Sequence, residues 1–191
     1  MAMTENQLQN VESAMAGDRQ AFGRLYDDYV RGIYDFLYFK THHKETAQDL
    51  TSQTFMKALE HLQTYDASKS SFSTWLYRIA RNTATDHYRT KRSFVDIEDA
   101  WDLKDDTDLE QDADTAIFMQ QVKVHLAKLS SEQRDIVTMR VWQGKSYAEI
   151  AAIVGKSEAS CKMTFSRALK QLRKEMPLAA FLLFLIGRPL V

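Results

Sequence analysis

Cysteine, proline and glycine are scarce in this chain. Its 191 residues include one cysteine, Cys161, two prolines and six glycines. A lone cysteine excludes an intrachain disulfide framework and a Cys-rich zinc site. So few turn-formers exclude an all-β sandwich or barrel, which needs many tight turns. A long apolar run is also missing. The longest, Leu178 to Ile186, is nine residues, against roughly 20 for a membrane-spanning helix. The opening MAMTENQLQN has no apolar stretch of the signal-peptide kind. The expectation is a soluble, cytoplasmic protein in a reducing compartment. The five histidines (His42, His43, His61, His87 and His125) show no metal-ligand spacing, and no Ser-His-Asp, P-loop or zinc-protease pattern occurs. No catalytic residue, metal, cofactor or small-molecule substrate is assigned, and the chain is not expected to be an enzyme.

What is present is ordinary for a globular protein: 45% hydrophobic and 27% charged residues. The net charge of −1 hides a strong division. Residues 1–92 carry +1, residues 93–114 carry −9, and residues 115–191 carry +7. The basic last segment suggests a nucleic-acid partner. The acidic segment holds ten carboxylates from Asp96 to Asp114. Self-repulsion and few core-formers make it an extended linker. A carboxylate metal site is the alternative. The spacing lacks the glycine and terminal Glu of a calcium loop.

Apolar spacing places the helices. Phe22, Leu25, Tyr26, Tyr29, Ile33, Phe36 and Leu37 mark one helix face. Ala47, Leu50, Phe55, Ala58, Leu59 and Leu62 mark a second, and Phe72, Trp75, Leu76, Ile79 and Ala80 a third. After the acidic segment, Met119, Val122, Leu126 and Leu129 give a fourth. Ser130 and Gln133 form a capping-box pattern before a helix with Ile136, Val137 and Val141 inward. Gly144 follows with positive φ expected. A second box, Ser146 to Glu149, opens a short helix that Gly155 ends. Ser157 caps the last helix, whose apolar stripe is Cys161, Phe165, Ala168 and Leu172. Cys161 on that stripe reads as a small buried hydrophobe; a redox sensor would need exposure and a lowered pKa. The expected fold is all-α: two small helical domains, residues 1–92 and 115–177, joined by the flexible acidic linker 93–114. An apolar tail, 178–191, follows.

Short helix, Gly turn, longer helix is helix-turn-helix grammar. Off the apolar stripe of the second helix stand Lys162, Met163, Ser166, Arg167, Lys170 and Lys174. A charged, solvated surface helix is the plain alternative. Capping on both helices and the +7 module favour a helix that enters the major groove with its N-terminal residues on base edges. Near the end of the first domain, aromatics interleave with Arg and Asn: FSTWLYRIARNTATDHYR. Rings can stack on unpaired bases while Arg holds phosphates. Phe72 and Trp75 can equally be core.

This last segment resembles the promoter-melting segment of the sigma-70 family of bacterial RNA polymerase sigma factors. The nearest likeness is to its extracytoplasmic-function (ECF) group. Residues 45–59, ETAQDLTSQTFMKAL, are similar to the segment that grips core RNA polymerase. Residues 129–174 resemble the module for the −35 promoter element. The resemblance implies a protein that directs core polymerase to promoters. Asp49, Leu50, Gln53 and Phe55 would contact the clamp helices of the largest subunit, Leu50 and Phe55 partly serving the core. Tyr65, Ser70, Ser71, Trp75, Arg78, Arg81, Asn82, Asp86 and Arg89 would serve the −10 element, with the loop Tyr65 to Ser71 pocketing a flipped base. Ser157, Glu158, Ser160, Lys162, Met163, Ser166, Arg167 and Lys170 would serve the −35 element.

The chain departs from the pattern at Ser52 and Gln53, where the family usually has Gln and Glu. It departs again at Thr164 and Leu169, where Arg is frequent. Implied partners are core polymerase (clamp helices and flap), promoter DNA and an anti-sigma factor, which would hold the protein at a membrane. The linker would thread towards the polymerase channel, its carboxylates imitating a nucleic-acid backbone. The tail could pack on the last module, bind a regulator or touch a membrane surface. Two rivals stand. One is a helix-turn-helix regulator that binds duplex DNA alone. The other is a metal-dependent nuclease using the acidic stretch.

Overall fold

The computed structural model describes residues 5–92, 122 and 124–186, and the regular elements among them are helices. They are α1 (Glu5–Met15), α2 (Arg19–Thr41), α3 (Lys44–Glu60), a 3-10 turn (Leu62–Thr64), α4 (Phe72–Arg92), α5 (Ser131–Val141), α6 (Tyr147–Val154), α7 (Glu158–Glu175) and α8 (Leu178–Ile186). The acidic segment 93–114 and Met119 lie outside the described residues. Residues 124–127 are helical, and Leu126 within them and Leu129 just beyond are buried.

The N-terminal helices form because their apolar spacing and caps agree. Asp18 caps α2, its carboxylate accepting from the Gln20 and Ala21 amides at 2.8 and 3.2 Å. Two histidines make the whole joint between α2 and α3. His42 ends α2 in the left-handed region, φ 53°, its amide donating to the Tyr38 carbonyl at 2.7 Å. His43 then caps α3, its Nδ1 accepting from the Thr46 amide at 3.2 Å. Phe36, Leu37, Leu50, Phe72 and Leu76 fill the core between α2, α3 and α4. Helix α1, which the apolar spacing does not announce, lays Val11 and Ala14 on α2.

The C-terminal helices follow their caps residue by residue. Both capping boxes are closed, Ser130 with Gln133 and Ser146 with Glu149. Gly155 ends α6 at φ 74°, and Ser157 caps α7 through the Ser160 amide. Gly144 has φ 62°, as the turn before α6 requires. Arg134 is buried and donates to the carbonyls of Leu126 and Leu129, both at 3.1 Å, so its charge closes the end of the preceding helix. Burial pushes its pKa down to about 10. Cys161 is fully buried, and burial raises its thiol pKa. That is an inert core position.

The two sets of helices do not stand apart. Helix α2 packs on α5, and α4 packs on α6. Leu76 and Ala80 of α4 share one apolar cluster with Met139, Ile150 and Ile153. Phe39 of α2 enters a second cluster among Leu126, Val137 and Leu172. Its ring meets Trp142 at 4.1 Å between centroids. The tail helix α8 closes this second cluster with Phe181 and Phe184, and Trp142 Nε1 donates to the Phe184 carbonyl at 3.3 Å. Leu178, Leu182 and Leu185 of α8 remain exposed.

One buried acid makes a testable cost. Asp35 on α2 is 8% exposed, and its Oδ1 has no hydrogen-bond partner among the described residues. Burial raises its pKa to about 6, against an opposing pull from Arg31. The native state therefore holds a proton that the unfolded chain releases nearer pH 4. The charge penalty is absent below that pH and grows as pH rises through 6. Asp35→Asn is expected to stabilise the protein by on the order of 1–2 kcal/mol at pH 7 and by much less at pH 4. Urea denaturation at the two pH values checks this. Equal effects at both would contradict it.

Candidate functional site

Helix α3 offers one continuous exposed face. Its spacing of three and four residues brings Asp49, Ser52, Gln53, Met56 and Leu59 to the outside. Leu50 and Phe55, expected to share that contact, point inward at 1% and 5% exposure. Tyr26 lies over the Phe55 ring at 4.7 Å between centroids. Sequence spacing assigned Leu59 to the core and passed over Met56. Both are more than half exposed, at 54% and 62%. Two large apolar side chains beside an acid, on a rigid helix, suit a protein partner.

The loop between α3 and α4 is built on an aromatic cluster. Tyr65 is buried, its hydroxyl donating to the Ser70 carbonyl at 3.0 Å. Its ring meets Phe72 and Trp75 at 5.6 and 5.3 Å. Trp75 is half-buried, with one part against this cluster. Ser71 accepts from the Thr74 amide at 3.2 Å and so caps α4. Asp66 ties the loop into a turn, accepting from the Ser68 hydroxyl and amide at 2.6 and 2.9 Å. Those bonds, led by the hydroxyl and joined by Lys69, lower its pKa to about 2. Of the loop residues expected to meet DNA, Tyr65 and Ser71 therefore hold the loop's shape.

Along α4, the expected DNA residues divide. Asn82, Asp86 and Arg89 are exposed, with Arg89 3.4 Å from Asp86. Arg78 and Arg81 instead reach across to the C-terminal helices. Arg78 Nη2 donates to the Ala152 carbonyl at 2.9 Å, and Arg81 Nε to Asp135 Oδ2 at 3.2 Å.

Helix α7 presents its basic face outward. Glu158, Lys162, Met163, Ser166, Arg167 and Lys170 are exposed, as is the cap Ser157. Ser160 is half-buried, its amide taken by Ser157. Lys162 pairs with Glu158 at 3.3 Å one turn back. This exposed pair is worth little and can exchange for a phosphate. Cys161, Ala168 and Leu172 turn inward and hold the helix on α5. An exposed, capped helix with five cations, Arg173 and Lys174 in its last turn included, and an exposed Met has the chemistry that a major groove accepts. Among the described residues no group of three or more His, Cys, Asp or Glu could hold a metal, and no helix is long and apolar enough to cross a membrane.

Residues 25–94 match the family Sigma-70 region 2, and residues 120–172 match Sigma-70, region 4. The ECF RNA polymerase sigma factor BldN of Streptomyces coelicolor is 34% identical over 171 residues, which span 87% of this chain and 64% of that protein. The RNA polymerase sigma factor YlaC of Bacillus subtilis is 35% identical over 162 residues, 83% of this chain and 93% of that protein. The ECF RNA polymerase sigma factor SigX of the same organism is 31% identical over 83% of this chain and 85% of its own length. In fold, the chain is similar to CnrH, solved with the cytosolic domain of CnrY, at TM-score 0.71 and 22% identity, covering 89% of this chain and 96% of that one. It is also similar to RpoE of Bartonella quintana, solved with the anti-sigma factor NepR, at TM-score 0.68 and 24% identity, covering 80% and 94%.

Proposed function

Since this chain belongs to the ECF group of the sigma-70 family of RNA polymerase sigma factors, we propose that it binds core RNA polymerase and directs promoter-specific initiation. The observation that carries the reading is the pairing of two exposed faces on one chain. One is the acid-and-apolar face of α3, the other the basic face of α7. Residues 1–92 form the polymerase-binding and −10 module, and residues 115–177 the −35 module.

Asp49, Gln53, Met56 and Leu59 meet the clamp helices of the largest subunit. Leu50 and Phe55 act behind them by holding α3 in place. Lys162, Met163, Ser166, Arg167 and Lys170 read or hold the −35 element, and Ser157, Glu158 and Ser160 start that helix at the groove. Well-read base pairs are worth roughly 1–3 kcal/mol each. On α4, Trp75, Arg78, Arg81, Asn82, Asp86 and Arg89 engage the −10 strand. Tyr65, Ser70 and Ser71 shape the loop that receives an unstacked base. The polymerase makes the phosphodiester bonds, and the protein works in the cytoplasm. An anti-sigma factor is the expected regulator, as in the partner named for the Bartonella quintana structure.

Co-purification with bacterial core polymerase tests the first step. The full chain is expected to bind core enzyme and to bind duplex DNA weakly alone. Tight duplex binding without polymerase, and no capture by it, would instead support the solitary regulator.

A further inference from the structure

Helix α8, Leu178–Ile186, is built only of Leu, Ala, Phe and Ile. Phe181 and Phe184 turn into the second apolar cluster. Trp142 Nε1, donating to the Phe184 carbonyl, fixes the helix against α5. Leu178, Leu182 and Leu185 are left outside, at 67%, 47% and 40% exposure. Their offsets of four and seven put them on one ridge. Scattered exposed leucines are ordinary, but three on one ridge of an anchored helix make a patch. The flank of this patch is basic. Arg173 and Lys174, in the last turn of α7, are exposed. Glu175 beside them is taken by Lys128 at 3.1 Å. Residues 176–191 hold no Asp or Glu.

We propose that the outer face of α8 docks on an anionic lipid surface, its leucines entering the headgroup boundary while Arg173 and Lys174 meet lipid phosphates. A helix that lies in the plane of a membrane interface needs an apolar face and nearby cations, and α8 with the end of α7 supplies both. It cannot go further in, since no described helix is long and apolar enough to cross a membrane. These cations are also clear of the promoter-reading end of α7. Lys174 lies 17 residues beyond the cap Ser157, about 25 Å along the helix at 1.5 Å per residue.

The chemistry of the patch selects lipid over protein. No side chain of α8 can donate or accept a hydrogen bond. A protein interface carries about one hydrogen bond per 100–200 Å², and its energetic centres favour Trp, Tyr and Arg over Leu. Acyl chains require no such bonds. A second copy of this chain is the other apolar candidate. Nine residues make a helix only about 13 Å long, so two leucine ridges laid together fall well short of the roughly 1,000 Å² that a stable interface needs. A bilayer sets no such minimum, because each leucine and each cation adds its own share.

Co-sedimentation of the full chain with lipid vesicles tests the docking. Phosphatidylcholine vesicles with about one-third phosphatidylglycerol are expected to bind it roughly 30-fold better than phosphatidylcholine alone, the share of two cations near an anionic surface. Leu182→Glu with Leu185→Glu is expected to weaken that binding about tenfold or more, with the urea midpoint unchanged. Should this variant unfold, Arg173→Gln with Lys174→Gln puts the same question through charge, again with a loss of about tenfold or more. An environment-sensitive dye gives the second readout, in a Cys161→Ala background. Placed on Leu178→Cys it is expected to shift to the blue on anionic vesicles, and on Ala159→Cys, exposed at the start of α7, to stay unshifted. No binding to anionic vesicles, or binding that both variants keep, would overturn the docking. A blue shift at Ala159 and none at Leu178 would also overturn it, in favour of adsorption through the basic face of α7. A dimer that the leucine variant dissolves, with no vesicle binding, would overturn it in favour of a second copy.

Discussion

Met56→Glu is expected to leave the fold intact and to remove most of the affinity for core polymerase. Met56 is 62% exposed at the middle of the α3 face, one turn from Ser52 and Gln53 and beside Leu59. Exposed positions away from caps and pairs tolerate substitution within about 0.5 kcal/mol of stability. A handful of central anchors at an interface carry about 2 kcal/mol or more each, and a new carboxylate there must also be desolvated. The expected loss is about 30- to 100-fold in polymerase affinity, read by fluorescence anisotropy with labelled protein. An unchanged denaturation midpoint must accompany it. Undiminished affinity would remove α3 from the interface.

Phe72→Ala is expected to do the opposite: to damage the fold first and the function through it. Phe72 is fully buried at the start of α4. Its ring meets Tyr29 and Tyr65 at 5.6 Å and Trp75 at 5.4 Å. Removing a buried Phe costs about 3–5 kcal/mol from lost transfer and the cavity left behind. Domains of this kind hold about 5–15 kcal/mol in all, so much of the margin goes. The loop Tyr65 to Ser71 loses its floor, and opening of the −10 element is expected to fall with it. Urea denaturation and permanganate reactivity of the promoter report the two effects. A cost under about 1 kcal/mol would show that the aromatic cluster is not what shapes the loop.

The capped C-terminal helices were legible almost to the residue. Ser130, Ser146, Gly155 and Ser157 each meet a local need, and local needs are written in neighbouring residues. Helix α5 was harder. Arg134 to Met139 are six consecutive buried residues, because α5 packs on its own module and on α2 at once. A helix buried on all sides has no polar face to show. Val141, expected inward, is only half-buried because it lies at the helix end, past the run that both packings cover. Helix α1 escaped notice because only Asn10, Val11 and Ala14 are buried in it, and Asn10 is placed by a 2.8 Å bond from Arg24.

The candidate site was legible as residue types and not as partners. The basic stripe of α7 follows from helical spacing alone. That Tyr65 is core, that Leu59 is exposed, and that Arg78 and Arg81 bond to the other module are all long-range outcomes. Asp135 meets Lys40 and Arg81, which lie 95 and 54 residues away in sequence. No local pattern encodes such a meeting. The separation into near-neutral, acidic and basic segments was informative about function, and silent about how the first and last of them touch.

The central claim is that this chain confers promoter choice on core RNA polymerase. Run-off transcription with bacterial core enzyme and a genomic promoter library tests it most directly. The account predicts discrete transcripts only when the protein is present, sharing one −35 and one −10 sequence, and lost with Met56→Glu. Transcripts that are the same with and without the protein would contradict it.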